Sequence, residues 1–323
     1  MMPPKIIVTR RWPCAVEQAL QERYDVTLNT SDRPMSAHDL RDAIASADAV
    51  LPTVTDRLDE SVFDRARART KILGNYGVGY SHIDVATAAE LGITVTNTPN
   101  VLSECTADIA LTLMLMAARR AGEGEREVRA GAWTGWRPTH LVGQKMSGKT
   151  LGIIGFGRIG REVARRARFG FGMQVLAQNR STIADETLAE TGARQVRTIE
   201  DLLEQSDFVS LHCPGGDANR HLINARRLRL MKPTAILVNT ARGEVVDETA
   251  LVDALRNKTI AAAGLDVFDG EPDVNPGLVA CENAVLLPHL GSATTETREA
   301  MGFRVLQNLD DFFQGRCPRD KVA

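Results

Sequence analysis

Leu151-Gly152-Ile153-Ile154-Gly155-Phe156-Gly157-Arg158-Ile159-Gly160 is the stretch on which the fold turns. A short apolar run of strand type leads into G-x-G-x-x-G, and a helical pattern follows at Val163, Ala164 and Ala167. In that setting the glycines have separate tasks. Gly155 permits a tight turn, Gly157 lets the backbone approach a pyrophosphate, and Gly160 lets helix and strand pack closely. The opening N–H groups of the helix, with its dipole, then hold the phosphates. The turn from Gly155 through Phe156, Arg158 and Ile159 to Gly160 is therefore a candidate dinucleotide site.

The same alternation extends in both directions. Downstream, strand candidates are Gln174–Ala177, Phe208–His212, Ala235–Val238, Ala262–Leu265 and Val285–Leu287, with helical pattern at Ile159–Arg168 and Glu248–Arg256. Upstream lies a separate series: strands at Ile6–Thr9, Ala49–Leu51, Ile72–Leu73 and Ile93–Thr96, helices at Val16–Glu22, Leu40–Ala47 and Val62–Ala68. Strands alternating with helices imply βαβ units and parallel sheets, here two of them. The series join at the turn Asn97-Thr98-Pro99-Asn100. Ser103 can N-cap a helix running to Ala118, with Glu104 and Asp108 near its positive end. That helix is apolar almost all round and should be buried. A last helix is expected over Thr294–Phe313.

The second strand of the dinucleotide half ends Gln178-Asn179-Arg180-Ser181, and neither Asp nor Glu occurs from Gln174 to Ala184. A carboxylate about 20 residues after the glycines would bind a ribose 2′-hydroxyl. An arginine there can instead make two hydrogen bonds to a 2′-phosphate. Asn179, Arg180 and Ser181 therefore point to NADP(H) over NAD(H), with NAD(H) kept as the alternative.

The chain has 323 residues, enough for two domains, with 39 Lys+Arg against 41 Asp+Glu and a net charge of −2. No basic block offers a footprint for nucleic acid. Cys14, Cys105, Cys213, Cys281 and Cys317 are scattered and odd in number, so neither a metal knuckle nor a disulfide framework is suggested. No metal site is expected. The N-terminal residues show no secretory apolar segment, and the longest apolar run, Ile109–Ala118, is too short for a bilayer. Reduced thiols and no membrane contact suggest a cytoplasmic protein.

Three further segments fall at strand ends in the dinucleotide half: Asn239-Thr240-Ala241-Arg242-Gly243, Leu265-Asp266-Val267-Phe268-Asp269-Gly270-Glu271-Pro272 and Pro288-His289-Leu290-Gly291-Ser292. Ligands of open α/β sheets bind beyond the carboxyl ends of strands. Arg242, Glu271 and His289 suit reduction of a 2-oxo acid. Histidine can donate a proton to the carbonyl oxygen near neutral pH, and a neighbouring carboxylate favours its charged form. Arginine can clamp a carboxylate or polarise a carbonyl. Taken singly, each is a weak signal: a lone histidine is more often packed or on the surface, Glu271 before Pro272 suits a turn, and Arg242 before Gly243 suits a surface charge; the joint occurrence carries the weight.

With these motifs and Asn75-Tyr76-Gly77-Val78-Gly79-Tyr80-Ser81-His82-Ile83-Asp84, the chain resembles the D-isomer-specific 2-hydroxyacid dehydrogenases over essentially its whole length. The resemblance implies an α/β protein of two Rossmann-like domains. One is a discontinuous, flavodoxin-like substrate domain (1–100 and 291–323); the other is a doubly wound cofactor domain (101–290). It implies that Arg242, Glu271 and His289 are catalytic and that Val78 and Gly79 bind the substrate carboxylate, as a backbone nest can. It further implies that Asp266 meets the nicotinamide carboxamide, and that Thr106, Cys213, Pro214, Thr240, Ala241, Arg242, His289 and Gly291 line the cofactor cleft. His82 is expected to be structural and Asp84 to cap the next helix. A homodimer, formed partly through the helix after Thr98, and a substrate cleft between the domains also follow from the resemblance.

Gly131-Ala132-Trp133-Thr134-Gly135-Trp136-Arg137-Pro138 and Val8-Thr9-Arg10-Arg11 resemble the glyoxylate/hydroxypyruvate reductase branch. There a tryptophan at the position of Trp136 reaches the partner's site and favours small 2-oxo acids; an anchor for the dimer arm is the other role open to it. Two stretches depart from the branch: Leu51-Pro52-Thr53-Val54, where a leucine–serine pair is usual, and Pro214-Gly215-Gly216-Asp217-Ala218-Asn219, where proline–leucine–threonine is usual. The expected activity is reduction of glyoxylate or hydroxypyruvate to the 2-hydroxy acid. Alternatives are another D-2-hydroxyacid substrate or a dinucleotide-sensing corepressor. Glu271 argues against a formate dehydrogenase, which pairs its histidine with glutamine, and with the sequence ending at Ala323 an allosteric phosphoglycerate dehydrogenase is the less expected reading.

Overall fold

A computed structural model describes residues 2–63 and 68–323. The first strands and helices are β1 (Lys5–Val8), α1 (Cys14–Gln21), β2 (Asp25–Leu28), α2 (Ala37–Ser46), β3 (Ala49–Leu51), β4 (Ile72–Gly74), α3 (Val85–Glu90) and β5 (Thr94–Thr96). The chain continues through α4 (Ser103–Ala118), α5 (Ala121–Arg129), β6 (Thr150–Ile154), α6 (Arg158–Phe171), β7 (Gln174–Gln178), α7 (Asp185–Thr191), β8 (Ala193–Gln195), α8 (Ile199–Gln205) and β9 (Phe208–Leu211). It ends with α9 (Ala225–Leu228), β10 (Ile236–Asn239), α10 (Glu248–Arg256), β11 (Ala262–Leu265), α11 (Pro276–Val279), β12 (Ala284–Leu286) and α12 (Thr295–Phe313).

The chain divides into two compact units, Met1–Leu102 with Ala293–Ala323, and Ser103–Ser292. The junctions lie at 102/103 and 292/293, and long-range contacts hold the residues just before the second. Leu290 and Gly291 donate their N–H groups to Asp266, and the Gly291 carbonyl accepts from Thr106, so 290–291 are bound to the second unit.

The first unit's sheet has the parallel order β2-β1-β3-β4-β5, the flavodoxin-like arrangement. Its inner strands are continuous apolar runs, as expected for strands covered on both faces. Asp84 caps α3 by accepting the Thr87 N–H, and Thr294 caps α12 through Thr297. The C-terminal residues return to this unit, where Lys321 bridges Thr96 in antiparallel sense.

The second unit's sheet has the order β12-β11-β10-β9-β6-β7-β8, all pairs parallel. This is the doubly wound arrangement, and its order reverses between β6 and β9, where ligands of such sheets bind. One apolar cluster lies on each face. One joins Leu202, Leu251 and Leu255 to the strands; the other joins Leu113 and Met114 of α4 and Val163 and Ala164 of α6.

Several sequence expectations shift. Strands β2 and β8 lack the apolar run that marks a buried strand. Their residues are exposed or half-buried, because each lies at a sheet edge. Helix α2 starts three residues before Leu40, because Ser36 and Asp39 form a reciprocal capping box ahead of the apolar face. Helix α4 opens on Ser103 itself rather than after it. Its inward side is buried as expected, while Leu115 remains 37% exposed. The helix expected over Val62–Ala68 falls largely on 64–67, outside the described residues.

Leu113 is fully buried between α4 and the sheet. Leu113→Ala should therefore lower unfolding free energy by about 2–5 kcal/mol, read as a shift in the urea midpoint with unchanged slope.

Candidate active site

The glycine-rich turn follows β6, at the point where the sheet order reverses. Gly155 has φ of +90°, and a side chain there would strike the Cys213 backbone nitrogen at 2.5 Å. A side chain at Gly160 would lie 2.4 Å from the Gly155 carbonyl oxygen. Gly157 is different: a Cβ there would meet nothing within 4 Å, and as the N-cap of α6 it has no side chain to occupy the helix's opening N–H groups. The opening N–H groups of α6 thus face open space beside an exposed Arg158, which fits a pyrophosphate. Asn179 reaches back to this turn, accepting the Phe156 N–H at 3.4 Å while donating to Ser181 Oγ at 3.0 Å. Arg180 is exposed and makes no ion pair among the described residues.

On the β9 side, His212 Nε2 lies 2.8 Å from Ser210 Oγ and Nδ1 3.5 Å from Thr240 Oγ1. Burial pushes the His212 pKa down to about 3, so the ring is neutral at working pH. Burial raises the Cys213 thiol to about 11, which makes it an apolar wall rather than a nucleophile.

The turn after β10 is organised by Asn239, 1% exposed, whose amide accepts the Ala241 N–H at 3.0 Å and donates to the Arg242 carbonyl at 2.9 Å. Arg242 Nη1 donates to the Ala241 carbonyl at 2.6 Å. At Gly243 a Cβ would lie 1.9 Å from the Phe268 carbonyl carbon. Only glycine lets this turn approach the segment that carries Glu271. Burial lowers the Arg242 pKa, and the charges of Glu244 and Glu271 oppose that shift.

Glu271 holds the centre of the arrangement. Its Oε1 accepts the Phe268 N–H at 2.9 Å and its Oε2 lies 2.8 Å from His289 Nδ1. Burial alone would raise its pKa, but the hydrogen bond and charge of His289, the Phe268 N–H and the Arg242 charge outweigh burial and hold it below the ordinary value. The carboxylate therefore carries its charge at neutral pH.

His289 sits at φ of +55°, a left-handed conformation that costs a side-chain residue about 1–3 kcal/mol. Asp266 holds it there. Its carboxylate accepts the Leu290 N–H at 2.6 Å and the Gly291 N–H at 2.8 Å, and its carbonyl accepts the His289 N–H at 3.0 Å. Asp266 is 1% exposed, and burial raises its pKa against those donors and the His289 charge. Thr106 Oγ1 completes the loop by donating to the Gly291 carbonyl at 3.0 Å.

The second unit thus brings Arg242, Glu271, His289, Asp266, Gly291, Thr106, Thr240 and Ala241 to the carboxyl ends of neighbouring strands. Trp136 is not drawn in: its side chain is 82% exposed. Asn239 and Gly243 lie within the sequence motifs without an evident chemical role there. No property of either residue in isolation signals that it sets the neighbouring backbone.

Residues 111–291 match the model of the D-isomer specific 2-hydroxyacid dehydrogenase family, NAD binding domain. The chain belongs to this family. Among its relatives, a glyoxylate reductase of Thermococcus onnurineus is 44% identical over 321 residues, covering 98% of this chain and 95% of that one. A glyoxylate reductase of Aeropyrum pernix is 46% identical, covering 100% and 96%. Among solved structures, the NADPH-dependent glyoxylate/hydroxypyruvate reductase of Sinorhizobium meliloti, in complex with NADP and malonate, superimposes with a TM-score of 0.88. It is 34% identical, with 99% of this chain and 97% of that one covered. As a D-2-hydroxyacid dehydrogenase the protein takes a nicotinamide dinucleotide, and the turn after β6 has the open donors for it. Among the described residues no cluster of His, Cys, Asp or Glu could hold a metal ion, and no helix is long and apolar enough to cross a membrane.

Two outcomes test the loop electrostatics. Asp266→Asn would turn an amide NH₂ toward a backbone N–H. It should cost about 1–3 kcal/mol in urea unfolding and reduce turnover, because His289 loses its support. Because the folded-state pKa of Glu271 lies below the ordinary 4.5, its interactions stabilise the fold above pH 4.5. That stability is lost as the pH falls through the folded value. Glu271→Gln should accordingly flatten the acid limb of a melting-temperature profile.

Proposed function

We propose that this protein reduces small 2-oxo acids, glyoxylate and hydroxypyruvate foremost, to 2-hydroxy acids with NADPH as reductant. The observation that carries the proposal is the 2.8 Å contact between His289 Nδ1 and Glu271 Oε2. With Nδ1 committed to the carboxylate, Nε2 is left to exchange a proton with the substrate oxygen. Glu271 stabilises the imidazolium and fixes its orientation. The cofactor, when bound, supplies the hydride that the carbonyl carbon receives.

Arg242 binds the substrate and draws charge from its carbonyl, and Val78 and Gly79 take the substrate carboxylate on their N–H groups. Gly155, Phe156, Gly157, Arg158, Ile159 and Gly160 hold the pyrophosphate. Thr106, Cys213, Pro214, Thr240, Ala241, Asp266 and Gly291 line the rest of the cofactor site. Arg180, flanked by Asn179 and Ser181, takes the 2′-phosphate, and the missing carboxylate removes the repulsion that would exclude it. The glyoxylate reductases among the relatives support the small substrate, and the Sinorhizobium enzyme solved with NADP supports the cofactor.

The working form is a cytoplasmic homodimer. Leu115 of α4 and Phe169 of α6, 37% and 68% exposed, would be covered by the second copy. The exposed Trp136 would reach the partner's site and limit substrate size.

Steady-state rates with a panel of 2-oxo acids and both cofactors test the reading, and a strong preference for NADH would end the cofactor part of it. His289→Ala should lower kcat by about 10²–10⁴. Arg180→Ala should raise the KM for NADPH by about tenfold or more and leave that for NADH nearly unchanged. A folded protein that binds NADPH without consuming it, whatever the 2-oxo acid, would instead be a dinucleotide sensor.

A further inference from the structure

The loop after β4 carries a device that the proposed chemistry does not yet use. Asn75, just after that strand, is fully buried. Its Nδ2 donates to the carbonyls of Gly77 and Gly79, each at 3.0 Å. The carbonyl between them, that of Val78, accepts from Asn97 Nδ2 at 2.8 Å, and the Gly77 carbonyl also accepts the Thr98 N–H at 3.1 Å. Three consecutive carbonyls are thus tied back to donors on buried or half-buried residues.

In a planar trans peptide the N–H of one residue points opposite to the carbonyl of the residue before it. Tying back the Gly77, Val78 and Gly79 carbonyls therefore turns the N–H groups of Val78, Gly79 and Tyr80 the other way. Among the described residues, no hydrogen-bond acceptor is found for these three donors. Successive N–H groups presented together form an anion site.

The amide of Asn75 can serve only in one orientation. Were it flipped, its oxygen would face two carbonyl oxygens. His82 fixes the choice: its Nε2 lies 3.0 Å from Asn75 Oδ1 and must carry the hydrogen, since that oxygen can only accept. Asn97 is anchored in turn, its N–H donating to the Asp320 carbonyl and its carbonyl accepting from Asn308 of α12.

We propose that Asn75 and His82 are positioning residues, whose hydrogen-bonded pair turns the 77–79 carbonyls inward so that the Val78, Gly79 and Tyr80 N–H groups bind a carboxylate. The proposal rests on the reading of Val78 and Gly79 as the substrate-carboxylate site and adds Tyr80 as a third donor. It distinguishes holding the loop together from holding it in one electrostatic sense.

The test uses the full-length enzyme with NADPH. Asn75→Asp is nearly isosteric but replaces the donor with an acceptor. It should raise the KM for glyoxylate and the inhibition constant of oxalate together, by about tenfold or more, while kcat moves less than about threefold. His82→Gln keeps a side-chain N–H and should stay within about threefold of the parent, whereas His82→Leu should shift as Asn75→Asp does. Melting temperature and the NADPH dissociation constant are measured alongside; should Asn75→Asp not fold, the two His82 variants decide. Unchanged glyoxylate and oxalate constants in folded Asn75→Asp or His82→Leu overturn the proposal, as does a His82→Gln as impaired as His82→Leu. A parent enzyme that reduces hydroxyacetone as well as hydroxypyruvate overturns the carboxylate-site reading itself, and the proposal with it. A parent that needs the carboxylate, with indifferent variants, overturns the proposal alone.

Discussion

One buried carboxylate carries the proposed chemistry on its hydrogen bonds. Asp266 receives the N–H groups of Leu290 and Gly291 on its two oxygens, and its carbonyl receives that of His289. A side-chain residue with φ of +55° does not stay there unaided. Three donors converging on one residue over-determine the loop, and the imidazole is thereby set against Glu271 before any ligand arrives. Burying the Asp266 carboxylate is itself unfavourable, and the two charge-assisted hydrogen bonds offset part of that cost while burial still holds its pKa above the ordinary value.

The same economy recurs with neutral side chains. Asn239 at the end of β10 and Asn75 just after β4 are both buried, and each amide satisfies backbone groups two to four residues further on. In each case a strand ends in a short amide whose donor and acceptor are both used, so the following peptides have one low-energy orientation. Such residues contribute no reacting atom. They decide which backbone groups face a ligand, and in the proposed reaction that is a requirement as strict as the identity of the acid.

Legibility varied with the kind of signal. The strand–turn–helix around Gly155–Gly160 was plain, because three glycines at that spacing answer separate steric demands, and the structure shows two of them at close contacts. The α/β class with two parallel sheets was equally plain from alternation. Strands β2 and β8 were hidden because an edge strand is stabilised by pairing on one side and needs no apolar run. The start of α2 was hidden because its capping box precedes the first buried residue. The tie of Gly291 to the second unit was hidden because it rests on the side chains of Asp266 and Thr106, both remote in sequence.

By itself, the order of residues determined the fold class, the glycine-rich turn, the lack of a carboxylate near Arg180 and the presence of an arginine, a glutamate and a histidine after strands. Those are matters of local spacing and residue type. Tertiary structure alone decided that His289 Nδ1 meets Glu271, that Gly243 lets the Arg242 turn lie against Phe268, and that the carbonyls of residues 77–79 face inward. Each of these depends on groups far apart in the chain meeting within hydrogen-bond or van der Waals distance, and local pattern does not encode that distance.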